Sequence, residues 1–204
     1  LKGREASLIA ATDGERIMLL PVAQDYKRAF DCDCGPNTGG MGAISPALSL
    51  PDEAAVEAAE LTIRPVLREM KRRGHPFCGF LYAGLMIEPH GDIKVLEFNV
   101  RLGDPEAQVM LRRMSEDLLP LMMDLCDGRP VGRRVEDAPR GAAACVVLAA
   151  DGYPGKPMVG DEIRGILEAE SQPEVKVFCA AVTAQDGRLY TAGGRVLSLS
   201  LIHI

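Results

Sequence analysis

Tryptophan is absent from this chain of 204 residues, aromatic residues make up only 4% of it, and histidine occurs 3 times. So few aromatic side chains argue against a surface that stacks the bases of single-stranded nucleic acid. Basic residues are also outnumbered by acidic ones: the net charge of -6 implies no broad basic face for the phosphate backbone of a nucleic acid. The longest apolar run, residues 142–150, is too short to span a bilayer. We therefore expect neither a nucleic-acid partner nor a membrane segment.

Cysteine and histidine are present, but not at the spacings that metal or nucleophilic sites require. Cys32 and Cys34 form a C-x-C pair, and no second Cys or His pair stands at zinc spacing. The histidines lie away from the polar strand described next, and no nucleophilic triad is recognisable. Because no secretory signal opens the sequence, we expect reduced thiols and a cytoplasmic location.

An alternating run, residues 93–102, predicts a strand with polar side chains on one face. Its apolar residues are expected to face the core: Leu96, Phe98, Val100 and Leu102. Its polar residues share the other face and are here called the polar row: Glu97, Asn99 and Arg101. A carboxylate and an amide suit Mg²⁺ or Mn²⁺, and a guanidinium suits an anion. The same alternation is also typical of the solvated face of a half-buried sheet.

The residues that follow the polar row favour the functional interpretation. The chain turns at Gly103, and Asp104 and Pro105 suit the N-cap and the first position of a helix. A helix N-terminus attracts anions. The segment therefore predicts a site for a metal–phosphate ligand.

A second candidate site is the glycine-rich stretch 35–42, inside a predicted long loop over residues 23–46. Backbone N–H groups of such a loop can bind phosphate, and Asn37 and Thr38 add side-chain donors. The stretch matches neither a Walker A loop nor a dinucleotide fingerprint. Cations that precede it could hold a ligand phosphate: Lys27 and Arg28. Glycine-rich stretches are also typical of tight turns, and charged residues at a strand end are often only solvated.

Hydrophobic periodicity predicts a mixed chain. Strands are expected at residues 5–12, 15–22, 80–87, 93–102, 142–150 and 175–182. Helices are expected at 51–73 and 105–127, kinked or divided at Pro65 and near Pro120. Residues 151–161 are expected to form a loop.

Four ordered motifs resemble the phosphoribosylamine–glycine ligase, or glycinamide ribonucleotide synthetase, family of ATP-grasp ligases. They are residues 24–28 (QDYKR), 35–46 (GPNTGGMGAISP), 79–86 (GFLYAGLM) and 97–106 (EFNVRLGDPE). Residues 152–155 and 193–196 resemble the start of the family's C-terminal domain. The resemblance implies an α/β (α+β) fold, with an antiparallel ATP-grasp subdomain and flanking helices followed by part of a small β-rich domain. The expected division is 1–128 ATP-grasp, 129–140 linker, 141–197 C-terminal domain and 198–204 a non-native tail.

The resemblance also implies a reaction. ATP, glycine and 5-phosphoribosylamine would give glycinamide ribonucleotide, ADP and phosphate, through a glycyl phosphate, in purine biosynthesis. The family's upstream lysine and glycine-rich ATP loop have no counterpart in this sequence, so the 204 residues alone are expected to be a poor catalyst or none. The alternatives are another ATP-grasp carboxylate–amine ligase and a noncatalytic nucleotide- or metal-binding module.

By the same resemblance, Glu97 and Asn99 would hold Mg²⁺ or Mn²⁺ bridging the ATP phosphates, and Arg101 would stabilise the transferred phosphoryl group. Asp104 and Glu106 would orient an amino group, and Glu5 lies near the family's ATP hinge. The candidates for substrate phosphate and ribose are Asp25, Lys27, Arg28, Asn37, Thr38, Gly39, Gly40 and Gly42.

Overall fold

The computed structural model describes residues 1–131 and 141–202. Its strands are β1 (Arg4–Thr12), β2 (Ile17–Leu19), β3 (Gln24–Phe30), β4 (Cys34–Ser45), β5 (Gly79–Ile87), β6 (Ile93–Asn99), β7 (Ala143–Ala149), β8 (Glu162–Ile163), β9 (Val175–Cys179), β10 (Val182–Gln185), β11 (Arg188–Thr191) and β12 (Arg195–Ile202). Its helices are α1 (Ala55–Arg72), α2 (Glu106–Arg113), α3 (Leu118–Cys126) and α4 (Ile166–Glu170).

A four-stranded antiparallel sheet in the order β2-β1-β5-β6 forms the first half of the fold. Alternation along β1 and β5 places Leu8 and Ala83 on the face that packs against Ile63 and Leu67 of α1. The opposite face of β1 turns Ile9 towards a second core that includes residues of α2 and α3. The sheet is thus covered on one face by α1, and its other face packs against α2 and α3 and also carries residues of the site described below.

A five-stranded antiparallel sheet, β3-β4-β7-β12-β9, corrects the prediction of a long loop over residues 23–46. The glycine-rich stretch lies within β4, between β3 and β7. Glycine in a strand marks close backbone approach, and a Cβ on Gly42 would lie 2.7 Å from the Cys145 carbonyl oxygen. The hairpin between β3 and β4 turns at Cys32 and Asp33, whose φ angles are 57° and 56°. The glycines therefore allow strand packing where the sequence predicted an open loop.

The predicted core face of β6 is also wrong. The pairing with β5 shifts register between Gly84 and Leu85, so the strict alternation of residues 93–102 breaks at a bulge. The exposed fractions of Leu96 and Phe98 are 39% and 40%, and that of Val100 is 70%. Leu102 alone of the predicted core residues packs against a core cluster. β6 is an edge strand of its sheet, and within the described residues it has a neighbour only on the β5 side.

The helices differ from prediction at their ends. Asp104 is not the N-cap of α2, because the helix begins one residue later with Pro105 at the cap and no side-chain capping bond. The division of the predicted helix 105–127 falls at residues 114–117, and Pro120 lies in the first turn of α3, where its missing N–H costs little. Pro65 lies inside α1, which continues past it.

The C-terminal part contains strands at both predicted positions, 142–150 and 175–182, with two differences from prediction. The strand expected at 175–182 ends at Cys179, and β10 then joins a separate three-stranded sheet, β10-β11-β8. Residues 198–202, expected to be a non-native tail, form the second half of β12 and pair with β7. Residues 132–140 of the predicted linker, and 203–204, lie outside the described residues. Because β4 pairs with β7, both predicted domains share one sheet, and their division at 129–140 stays a prediction.

Candidate active site

Glu97 and Asn99 lie together on the face of β6 that is opposite α1. Glu97 is paired with Gly84 and Asn99 with Tyr82 of β5. A Cβ on Gly84 would lie 3.2 Å from Cγ of Glu97, so this glycine makes room for the carboxylate side chain. Arg101 lies beyond the end of β6 and is exposed, and its Nη1 donates a hydrogen bond to the Leu102 carbonyl at 2.9 Å. The strand therefore carries two members of the polar row, and the third lies on the following bend.

Lys27 of β3 connects the polar row to a group of carboxylates. Its Nζ lies 2.9 Å from Oε2 of Glu5 and 3.7 Å from Oδ2 of Asp25. Burial alone would lower the pKa of Lys27, but the hydrogen bond to Glu5 and the charges of Asp25, Glu5 and Glu97 outweigh it, and the pKa is raised. The charge of Glu97 on β6 therefore acts on the same lysine as the charges of Glu5 and Asp25.

Asp25 is a buried carboxylate among other carboxylates. Its side chain is only 4% exposed. Burial raises the pKa of Asp25 from 3.8 to about 6, the charges of Glu106 and Glu5 add to the rise, and Lys27 opposes it. Such an environment repels a phosphate and favours a cation or an amine. Asp25 is thus poorly suited to the phosphate-binding role predicted from the sequence.

Glu106, the first residue of α2, belongs to a buried hydrogen-bond network. Its Oε1 accepts hydrogen bonds from the Ser7 hydroxyl at 2.9 Å and the Tyr82 hydroxyl at 3.0 Å. Burial and the Glu106 charge raise the pKa of Tyr82, so its hydroxyl remains a donor. The network fixes Glu106 beside the sheet face that carries Glu97 and Asn99.

These side chains form an acidic site that contains one lysine. Lys27 pairs with Glu5 and Asp25, the charge of Glu97 raises the pKa of Lys27, and that of Glu106 raises the pKa of Asp25. Such an excess of carboxylates attracts a divalent cation or an ammonium group. Within the described residues no group of three Asp, Glu, His or Cys side chains is placed to hold a metal by itself. Glu97 and Asn99 nevertheless fit the sparse style of Mg²⁺ sites, in which one or two protein oxygens act together with ligand phosphates and water.

A cavity of about 900 Å³ opens beside this acidic site. Four predicted substrate residues line it, Asp25, Lys27, Arg28 and Asn37, together with Glu5 of the predicted ATP hinge. Two further cations contribute to its wall, Lys2 and Arg4. The cavity therefore offers carboxylates at one side and cations that suit a phosphate.

The backbone of β4 is engaged within the protein. The Gly39 N–H donates to the Tyr153 hydroxyl at 3.1 Å, and the Gly40 N–H to Oγ1 of Thr38 at 3.0 Å. Thr38 itself donates to the Lys27 carbonyl at 2.8 Å. In this conformation these groups are not directed at a ligand, and Gly42 packs against β7. The predicted role of these residues in phosphate binding remains a prediction.

Sequence reasoning missed Ser7 and Tyr82, which hold Glu106, and Arg195, which binds Asp104. Oδ2 of Asp104 lies 3.2 Å from Nη2 of Arg195. A signal for the first two existed: each is a polar side chain inside an apolar strand, at a position of the face opposite the α1 core. Arg195 carried no such signal, because its partner lies in a distant segment.

The buried charge of Asp25 leads to a stability prediction. The folded pKa of about 6 exceeds the unfolded value of 3.8, so the folded chain binds the proton more tightly. Stability therefore falls as pH rises through that window. Asp25→Asn removes the charge, and we expect it to raise the free energy of unfolding by about 1–3 kcal/mol at pH 7.5.

Urea unfolding of the 204-residue chain at several pH values measures this effect. The gain should shrink as pH falls below 6 and vanish only below the unfolded pKa of 3.8, at pH ~3, where Asp25 is neutral in both states. Asp92→Asn, at an exposed turn position, is the matched control and should change stability by less than about 0.5 kcal/mol. An undiminished gain at pH ~3, or a loss at pH 7.5, would contradict the assigned environment of Asp25.

Comparison with known proteins identifies the family of the chain. A sequence model described as the ATP-grasp (A) domain of phosphoribosylglycinamide synthetase matches residues 1–107, and one for the C domain of the same enzyme matches residues 143–203. The chain is 48% identical over 201 residues to a phosphoribosylamine–glycine ligase of Rhodopirellula baltica, and the match covers 98% of this chain and 46% of that protein. The ligase of Salmonella typhimurium is 46% identical over 198 residues, covering 97% and 46% respectively. The chain thus spans about half the length of the curated relatives it matches.

Solved structures agree with this result and confirm the predicted α/β fold with antiparallel sheets. The crystal structure of phosphoribosylamine–glycine ligase from Thermotoga maritima superposes with a TM-score of 0.83 at 39% identity, over 98% of this chain and 48% of that one. Biotin carboxylase from Campylobacter jejuni superposes with a TM-score of 0.72 at 14% identity, over 99% and 42%, which shows a shared fold only. None of the helices among the described residues is long and apolar enough to cross a membrane. From both family matches and these identities, the chain belongs to the phosphoribosylglycinamide synthetase family of ATP-grasp proteins.

Proposed function

We propose that the protein containing this chain joins glycine to 5-phosphoribosylamine at the expense of ATP, giving glycinamide ribonucleotide, ADP and phosphate. The observation that carries the proposal is that Glu97 and Asn99 share a sheet face with Glu5, whose carboxylate pairs with Lys27 of the second sheet, next to Asp25 and beside a cavity. Relatives that share over 40% identity with the chain are named for this ligation. The full-length protein is the complete polypeptide encoded by the gene that contains this chain.

Glu97 and Asn99 are the residues proposed to hold a divalent metal, Mg²⁺ or Mn²⁺, together with the phosphates of ATP. A carboxylate and an amide oxygen on the same strand face are the donors that such hard cations prefer. When bound, the metal neutralises phosphate charge, which is the main requirement of phosphoryl transfer. Arg101, exposed just past β6, is proposed to contact the transferred phosphoryl group and the acyl-phosphate oxygens.

The acidic site is proposed to receive an amine. Asp25 is held near Lys27 and Glu106, and a pKa of about 6 makes it able to accept a proton from an ammonium group near neutral pH. Glu106 supports this arrangement through its bonds to Ser7 and Tyr82. Asp104, the other sequence candidate for this task, has its two carboxylate oxygens engaged with Gln108 and Arg195.

The cationic wall of the cavity is proposed to hold the substrate phosphate. Lys27 and Arg28 lie on it with Asn37 and Arg4. Arg28 donates from Nη1 to the Gly35 carbonyl at 2.7 Å, which leaves its remaining N–H groups for an anion. A cytoplasmic location and the identity of the metal remain predictions.

A ligation assay with the full-length protein tests the proposal. We expect release of ADP and phosphate, and formation of glycinamide ribonucleotide, only when ATP, glycine, phosphoribosylamine and a divalent metal are all present. Product formation with another carboxylate or amine in preference to these substrates would favour a different ATP-grasp ligase. Metal-dependent ATP binding without any ligation would favour a noncatalytic module and overturn the proposal.

A further inference from the structure

Arg195, the first residue of β12, reaches two segments that are distant in the sequence. Its Nη1 donates to the carbonyl oxygens of Gly39 at 2.9 Å and of Asp104 at 2.8 Å. Its Nη2 lies 3.2 Å from Oδ2 of Asp104. One guanidinium thus joins β12 to β4 and to the turn before α2, and we call this set of contacts the Arg195 clamp.

The surroundings of the Arg195 clamp are built for close approach. A Cβ on Gly40 would lie 2.5 Å from Cδ of Pro105, so β4 reaches the start of α2 only with glycine at this position. A Cβ on Gly194 would overlap the ring of Tyr153, whose hydroxyl accepts the Gly39 N–H at 3.1 Å. Two side chains from the C-terminal part therefore bind the same short stretch of β4.

The turn that Arg195 holds connects residues of the proposed site. Arg101 precedes Asp104 by a few residues, and Glu106 follows it at the start of α2. The Ser7 and Tyr82 hydroxyls hold Glu106 from the β1 and β5 side, and Arg195 holds the turn from the β4 and β12 side. A planar guanidinium with several fixed donors suits this task better than an ammonium, because it can bind two carbonyls and a carboxylate at once.

We propose that Arg195 is a positioning residue: it fixes the Asp104 turn against β4 and thereby sets where Arg101 and Glu106 lie relative to the acidic site. This inference rests on the proposed ligation. Arg195 contacts Asp104 and the backbone of β4, and its effect on the site passes through them.

Kinetics of Arg195→Met in the full-length protein test the inference. We expect kcat to fall by about 10²-fold, because small displacements of reacting groups cost that much, while the KM for ATP changes by less than about threefold. Arg195→Lys should recover part of the loss, since it keeps the charge but not the bridging geometry. Arg188→Met is the matched control: this exposed arginine of β11 lies 3.6 Å from Glu162, and its replacement should leave kcat unchanged.

Asp104→Asn provides a second, milder variant if Arg195→Met does not fold. It removes the carboxylate partner of Arg195. The double variant Asp104→Asn/Arg195→Lys should lose less kcat than the product of the two single fold-losses, because both substitutions weaken the same contact. Hydrogen exchange in the 204-residue chain adds a direct readout. The Gly39 and Ala107 amides should exchange faster in Arg195→Lys than in Arg188→Met, since Ala107 bonds to the Gly103 carbonyl in the held turn.

The outcomes separate this inference from the proposed function. A wild-type full-length protein without ligation activity overturns the proposed function. An active wild type whose Arg195→Lys and Asp104→Asn variants keep its kcat overturns the positioning role. A loss of kcat that equals the loss of folded protein, measured by thermal unfolding, overturns it as well, because it reduces Arg195 to a purely structural contact.

Discussion

Replacing Glu97 with Gln is expected to lower kcat/KM for ATP-dependent ligation by about 10²- to 10³-fold in the full-length protein. Glu97 is the one carboxylate of the polar row, and its side chain lies beside Asn99 on the face opposite α1. The variant keeps the shape of the side chain and removes its charge. Because the proposed metal site uses few protein oxygens, the loss of one anionic donor leaves the ATP phosphates poorly neutralised.

The metal dependence of the rate gives the sharper measurement. Titration with Mg²⁺ and with Mn²⁺ should show that Glu97→Gln needs a higher metal concentration for half-maximal rate than wild type. Glu57→Gln is the matched control, since Glu57 is exposed on α1, across the sheet from the site. An unchanged metal titration with a full ligation rate would remove Glu97 from the proposed metal site.

Arg101→Met is expected to lower kcat by a similar factor, about 10²- to 10³-fold, with little effect on stability. Arg101 is exposed, and its Nη1 bonds only to the adjacent Leu102 carbonyl among the contacts found in the described part of the chain, so its removal leaves no buried group unpaired. Because the guanidinium is proposed to stabilise negative charge that develops during phosphoryl transfer, its loss should lower kcat more than it changes the KM for ATP.

Steady-state kinetics and thermal unfolding together check this second prediction. Arg68→Met, at an exposed position of α1, makes the same chemical change away from the site and should behave as wild type. Arg101→Lys should retain more activity than Arg101→Met but less than wild type, because it keeps charge without the planar fork. Arg101→Met with wild-type kcat would show that the exposed guanidinium takes no part in the reaction.

Local patterns in the sequence predicted much of the sheet but not its irregularities. Alternation located β1 and β6 to within a few residues, because a period of two follows from strand geometry. The same rule failed at the β6 bulge, where the register with β5 shifts between Gly84 and Leu85. It also did not predict that Phe98, which pairs with Ala83, stays exposed on an edge strand. The pairing partner decides whether a bulge forms, and the partner is not visible in a local pattern.

The glycine-rich stretch is a second case in which a local pattern failed, because it predicted a loop where the structure has a strand. Glycine is disfavoured in strands and common in loops, so residues 35–42 predicted a loop. The structure uses them as strand β4 because β7 and the start of α2 approach too closely for side chains at Gly42 and Gly40. Propensity describes a residue alone, and close approach depends on segments far along the chain.

Neighbouring residues alone were enough to predict the strand that carries Glu97 and Asn99 and the order of the family motifs. The burial of Asp25, its raised pKa near Glu106, and the contact of Arg195 with the Asp104 turn became visible only in the folded chain. Burial and charge interactions arise between surfaces that folding brings together, so no local pattern contains them. A local pattern predicts which side chains share a strand face, and packing decides which residues that face contacts.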